Sequence, residues 1–320
     1  MSTALTVISD RSNLPAALGV DLTAAVDLAK AEKAASTRKA YGTDFRIFKA
    51  WCEERCVSAL PAAPETVAAY LAAQAPTSKT STLGRRVAAI RYAHKLAGLA
   101  LPTDAEGVKA TMRGIRRTYG NSKVRKAPAV AGKVLGMVAT APDGLSGLRD
   151  RALLLIGFGG ALRRSELVAL DVADIQETET GLLVKIRGSK TDQGRAGATI
   201  AIARGDVACP AKALREWLDA AGIEAGPIFR PIDKAGTVRT SRLTCRSVAN
   251  IVKAYAARAG FDASVFSGHS LRAGFLTSAA GKGASIFKMM DVSRHKSVDT
   301  LRGYIRDAEL FKDHAGAGLL

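Results

Sequence analysis

The sequence predicts a mainly α-helical protein with one small antiparallel β-sheet, divided into a helical N-terminal module and a larger α+β unit. Three observations carry this. Apolar residues recur at a spacing of three to four over most of the 320 residues, as they do along helices that bury one face. β-like runs are few and short: Leu182 to Ile186, Ala198 to Ile202 and a briefer one at Ile228-Phe229. The stretch from Tyr119 to Pro128 is polar, basic and without apolar period, which marks a linker. The division that follows is an N-terminal segment 1–30, a helical domain 31–118, a linker 119–126 and a second domain 127–320.

Taken in order, residues 36–56 open on the N-cap candidates Ser36-Thr37 and place Tyr41, Phe45, Phe48 and Trp51/Cys52 on one helical face. A second helix starts at Pro64, a residue suited to the first helical turn, and stops before Pro76. The third, capped near Thr80 or Ser81, turns Leu83, Val87, Ile90 and Ala97 to one side and Arg85, Arg91, Tyr92 and Lys95 to the other. A fourth runs from about Asp104 to Arg117. Beyond the linker, helical patterns at 129–140 and 146–158 lead into a helical stretch at 161–167. After the β-like runs, further helices are expected at Pro210 to Ala221, Ser241 to Ala257, Leu271 to Ala280, Ser285 to Met290 and Val298 to Asp307.

Composition narrows the function. Apolar residues at 48% and charged residues at 24%, with no low-complexity tract, describe a globular chain. The longest apolar run, Ala152 to Leu162, lies between Arg151 and Arg163 and is too short to cross a bilayer. The N-terminus lacks the pattern of a secretory signal, so a cytoplasmic, nucleoid-associated location is expected. Cys52, Cys56, Cys209 and Cys245 have no zinc-site spacing and are expected to be reduced, mostly buried thiols. The net charge of +18 favours a polyanionic partner, with nucleic acid foremost. Residues 79–126 hold 12 Lys and Arg against Asp104 and Glu106, so 12 − 2 = 10 of the excess charges fall there. Arg85, Arg86, Arg91 and Lys95 are therefore candidate DNA contacts, to phosphates or to base edges.

Five short pieces of the second domain can carry chemistry. In Leu162-Arg-Arg-Ser-Glu-Leu167, Glu166 lies three residues after Arg163 and can direct its guanidinium, or the two form a surface salt bridge. Lys190 sits in a Gly-rich bend between two strands. In Ser267-Gly-His-Ser-Leu-Arg272, His269 and Arg272 can face one ligand. His295 and Tyr304, nine residues apart, close the series. A phenol with a pKa of about 10 is a poor nucleophile unless cations stabilise the charge that develops; here two arginines, a lysine and two histidines could do so around a phosphodiester.

In this order, Arg-x-x-Glu, hairpin Lys, His-x-x-Arg, His and then Tyr, the chain resembles the tyrosine recombinases of the phage integrase type. The likeness spans nearly the whole chain, since residues 31–118 are similar to the helical, SAM-like core-binding domain of that family. The resemblance implies Arg163 and Arg272 as a phosphate clamp, Lys190 as general acid to the leaving 5′-oxygen, His269 as acid/base partner, His295 where the family has His or Trp, Tyr304 as nucleophile, and Glu166 in support. It implies site-specific cutting and rejoining of DNA through a 3′-phosphotyrosyl link, with no metal, ATP or other cofactor. A homo-tetramer on two paired double-stranded sites, gripped as by a clamp, is implied too, and accessory or directionality proteins are compatible with it. The residues differ from the family pattern at Gly160-Ala161, commonly Thr-Gly, and at Arg294, usually Gly. Two other readings share these residues: a type IB topoisomerase-like relaxing enzyme, and a catalytically idle site-specific DNA-binding protein.

Overall fold

Helices account for most of the chain in a computed structural model that describes residues 16–120, 126–188 and 197–308. Two units divide it, Met1–Val124 and Arg125–Leu320, each with its own core.

The first unit holds α1 (Ala16–Ala31), α2 (Ala35–Glu53), α3 (Pro64–Gln74), α4 (Thr80–Leu96) and α5 (Glu106–Tyr119). α1 falls in the stretch set aside as an N-terminal segment. Helix α2 starts at Ala35 with Ala34 as N-cap and no capping side chain, so Ser36 and Thr37 lie inside it. Phe48 and Cys52 of α2 meet Tyr70 and Leu71 of α3, Leu83 and Ile90 of α4, and Met112 of α5. Edge-on contacts of Phe48 and Trp51 with Tyr70, at 5.0 and 5.3 Å between centroids, add about 0.5–1.5 kcal/mol each to the burial. Two buried polar groups lock the packing. His94 accepts from the Ala62 N–H through Nε2 and faces the Ile90 carbonyl through Nδ1, both at 2.9 Å, which fixes its neutral tautomer. Asp44 receives the Arg85 guanidinium in a two-pronged pair.

The second unit holds α6 (Ala131–Ala139), α7 (Leu145–Gly159), α8 (Arg164–Ala169), strands β1 (Ile175–Thr178), β2 (Gly181–Ile186) and β3 (Ala198–Ala203), then α9 (Pro210–Ala221), α10 (Cys245–Arg258), α11 (Ser270–Gly281), α12 (Ile286–Ser293) and α13 (Val298–Ala308). The long apolar run forms the C-terminal half of α7 and the turn that follows it, buried on nearly every side. No described helix is long and apolar enough to cross a membrane. The sheet is an antiparallel meander in the order β1-β2-β3, with Val184 paired to Ile175 and to Ile200.

The third strand differs from the expected one. Ile228-Phe229 is flanked by Pro227 and Pro231, which lack N–H groups, and its backbone bonds Leu170 on one side and Leu243 on the other rather than a ladder. Both side chains are buried, and the Ile228 carbonyl accepts from Trp217 Nε1 at 2.9 Å. The real third strand, β1, has one apolar residue in four and shows no alternation to read. α10 begins at Cys245, capped by the Thr244 hydroxyl, and not at Ser241. Of the four thiols, all unpaired, only Cys52 is buried; Cys56 is exposed and Cys209 and Cys245 are half-buried.

Candidate active site

The second unit brings Arg163, Glu166, His269, Arg272, His295 and Tyr304 together from the N-terminal ends of α8 and α11, the residues just after α12, and the middle of α13. Lys190 lies outside the described residues, as do the linker residues 121–125.

Arg163 is the N-cap of α8, in extended backbone, one position before the helix. Glu166 at the third helical position reaches back to it twice: Oε2 accepts from the Arg163 N–H at 2.9 Å and Oε1 from Nη1 at 2.7 Å. Glu166 is buried, and its Oε2 also accepts from Arg294 Nη2 at 2.6 Å. Burial alone would raise this carboxyl, but Arg294 and Arg163 outweigh it and hold the group below the usual glutamate range.

Arg272, on the first turn of α11, is completely buried. Its Nη1 donates to the Ala161 carbonyl at 2.6 Å and its Nη2 to the Ser293 carbonyl. Nη2 also lies against the His295 ring, 3.1 Å from Nε2 and 3.3 Å from Nδ1. Nε has no partner, and no carboxylate hydrogen-bonds this guanidinium among the described residues. Burial, with Arg163 alongside, brings its pKa down to about 10, so it stays cationic at neutral pH. Ala161 presents its carbonyl from a left-handed backbone, φ 44°, at the position where a glycine is common in the family it resembles.

Both histidines are neutral near pH 7. Burial first, then Arg272 and Arg163, lower His295 to about 4, and the same causes with Arg164 lower His269. The His295 Nδ1–H donates to Ser293 Oγ at 2.8 Å, and that hydroxyl donates to the Met289 carbonyl at 2.6 Å. His269 Nε2 stands 3.3 Å from the Tyr304 hydroxyl. The Tyr304 ring packs on a small separate core of Leu276, Ala280, Met289 and Leu301. The ensemble is a neutral base beside a phenol, next to guanidiniums, one of them hydrogen-bonded to carbonyls and the His295 ring but to no carboxylate. Among the described residues no group of three or more His, Cys, Asp or Glu could hold a metal ion.

Four participants had little or no signal in the sequence. Ser293 and the Ala161 carbonyl had none, since a backbone acceptor has no side-chain signature. Arg164 lies against Gly268, where any Cβ would overlap its stem. Arg294 was visible only as a departure from glycine.

The candidate DNA contacts sit on α4 in the first unit, and each has an internal partner. Arg85 pairs with Asp44, Arg86 Nη1 donates to Gln74 and Ser78, Arg91 pairs with Asp104, and Lys95 is 3.9 Å from Glu32.

The phage integrase family profile matches residues 132–310. The "Integrase/recombinase xerD homolog" of Selenomonas ruminantium is 42% identical over 290 residues, 88% of this chain and 85% of the relative. "Recombinase cre" of Escherichia phage P1 is 29% identical over 338 residues, 97% and 96% of the two chains. Among solved structures, a lambda integrase dimer bound to a COC′ core site aligns with a TM-score of 0.61 at 18% identity, covering 88% of this chain and 92% of that one, a likeness of fold.

Proposed function

The chain belongs to the phage integrase family and is a site-specific tyrosine recombinase, and we propose that the cluster around Arg272 is where it cuts and rejoins double-stranded DNA. The observation that carries this is the buried Arg272 guanidinium with no carboxylate bound to it. A charge so placed is costly unless an anion compensates it, and a phosphodiester supplies one without a fixed internal partner.

In this reading Arg163 and Arg272 hold the non-bridging oxygens of the scissile phosphate. The Tyr304 oxygen attacks phosphorus, its proton passes to His269 Nε2, and the bond from phosphorus to the 5′-oxygen breaks. Lys190 protonates that oxygen, leaving a 5′-hydroxyl and a 3′-phosphotyrosyl link. Neutral histidine is the form that can accept the phenolic proton, and the lowered basicity of His269 keeps it neutral near pH 7. His295, held by Ser293, buttresses Arg272. One phosphoester replaces another, so the step needs neither ATP nor a metal. A 5′-hydroxyl from the partner duplex then reverses the chemistry.

We further propose that residues 31–118 bind DNA, that four copies act on two paired sites, and that the protein works on the nucleoid in the cytoplasm. Arg91 and Lys95 can exchange exposed carboxylates for phosphates cheaply, because such surface pairs are worth at most about 1 kcal/mol. Arg86 would exchange neutral amide and hydroxyl partners. Arg85 would leave Asp44 buried and unpaired, which assigns it first to the fold.

The test is a nicked suicide duplex made from DNA flanking the protein's own gene, incubated with EDTA and run on a denaturing gel. A covalent adduct is expected with the native protein and none with Tyr304→Phe. An adduct that survives in Tyr304→Phe overturns the assignment. Recombinants between two duplexes, as against relaxation of one, separate strand exchange from topoisomerase action.

A further inference from the structure

Arg294 ends α12 in a left-handed backbone conformation, φ 57° and ψ 38°, which glycine adopts freely and arginine does not. Its side chain is only 10% exposed, as few arginines are without a task. Nη1 donates to the Val292 carbonyl at 2.7 Å, Nη2 to Glu166 Oε2 at 2.6 Å, and Nε is buried without a partner. Glu166, 1% exposed at its side chain, is thereby a strut between two guanidiniums, Arg294 on one oxygen and Arg163 on the other. The neighbours of Arg294 in sequence are tied to the same place. The Ser293 carbonyl accepts from Arg272, and the His295 ring lies against it.

We propose that Arg294 is a positioning residue for strand cleavage: through Glu166 it fixes the direction of the Arg163 guanidinium, and through its bond to the Val292 carbonyl it clamps the turn that sets His295 beside Arg272. The inference rests on reading this cluster as the cleavage site. With Arg294 removed, Glu166 Oε2 keeps only the Arg163 N–H, and the carboxylate and the guanidinium it carries are free to turn together. A staple that served the fold alone would contribute to melting and to DNA binding. A positioning group contributes to the rate once DNA is bound.

The experiment measures single-turnover adduct formation on the nicked duplex over a range of DNA concentrations, for the native protein, Arg294→Gly and Arg294→Lys, with melting curves for each. Arg294→Gly, which also relieves the backbone, should lose about 10²-fold in rate at saturating DNA, the scale of a misplacement near 1 Å. Its half-saturating DNA concentration should move less than about threefold. Arg294→Lys, which returns one cation to Glu166, should recover about tenfold of the loss. Native rates in Arg294→Gly, a loss confined to half-saturation, or a lysine variant no better than glycine would each overturn the proposal. If Arg294→Gly does not fold at the assay temperature, Glu166→Gln is read in its place and must show the same loss at saturation. Failure of the native protein itself to form an adduct would instead refute the reading of the site.

Discussion

Moving from pH 7 to pH 5 should weaken the second unit through His295, and the size of the effect can be worked out. The imidazole falls from the unfolded value of about 6.5 to about 4 in the folded protein, through burial and the guanidiniums of Arg272 and Arg163. Between those values the unfolded chain binds a proton that the folded one refuses, so stability is full above about 6.5 and is lost as pH falls toward 4. The whole shift corresponds to roughly 3 kcal/mol, of which about 2 would be gone by pH 5. The ring is only half-buried and water screens it, so about 1 kcal/mol is the realistic loss. His269 is shifted the same way and adds to the total. Glu166, depressed by its two arginines, contributes stability above about 4.5 that is lost only in more acid solution. The assay is urea denaturation at both pH values, followed by the fluorescence of the buried Trp217 in a Trp51→Phe background. Native protein should lose about 1 kcal/mol more than His295→Gln over this interval. Equal losses in the two proteins would refute the argument.

Two further expectations follow from close packing. A Cβ at Gly274 would overlap the Ala129 carbonyl and lie 2.9 Å from its nitrogen, so Gly274→Ala must push α11 off the chain before α6. A loss of about 3 kcal/mol in a urea titration is expected, together with failure of adduct formation, since α11 carries Arg272. In the first unit, His94→Leu strands the buried Ala62 N–H and should cost about 1–3 kcal/mol, read as a lowered midpoint of the Trp51 fluorescence transition in a Trp217→Phe background.

Much of this architecture was legible because helices announce themselves twice, by apolar spacing and by their ends. Pro64 and Pro210 open α3 and α9 where Pro is favoured, and Gly222 closes α9 in the left-handed conformation. β1 escaped because an edge strand with one apolar residue has no period to detect. On α4, spacing foretold the basic outer face but not its carboxylate partners, which come from α1's end, α2 and the turn before α5, far away in sequence. In the site, the three-residue interval between Arg163 and Glu166 forecast a real pair. The depth of Arg272 could not be foreseen, because it is made by carbonyls of Ala161 and Ser293 reaching it from two distant segments.

Tyr304 does not share the core that anchors Arg163. Its ring belongs to the satellite cluster of Leu276, Ala280, Met289 and Leu301, a handful of side chains beneath α12 and α13. Opening free energies in proteins scale with such local burial, so amide hydrogens of α12 and α13 should exchange with solvent well before those of α7. The nucleophile thus rides on a small cooperative unit whose opening also withdraws the Ser293 carbonyl and His295 from Arg272, and commitment to cleavage becomes a local equilibrium instead of a property of the whole fold.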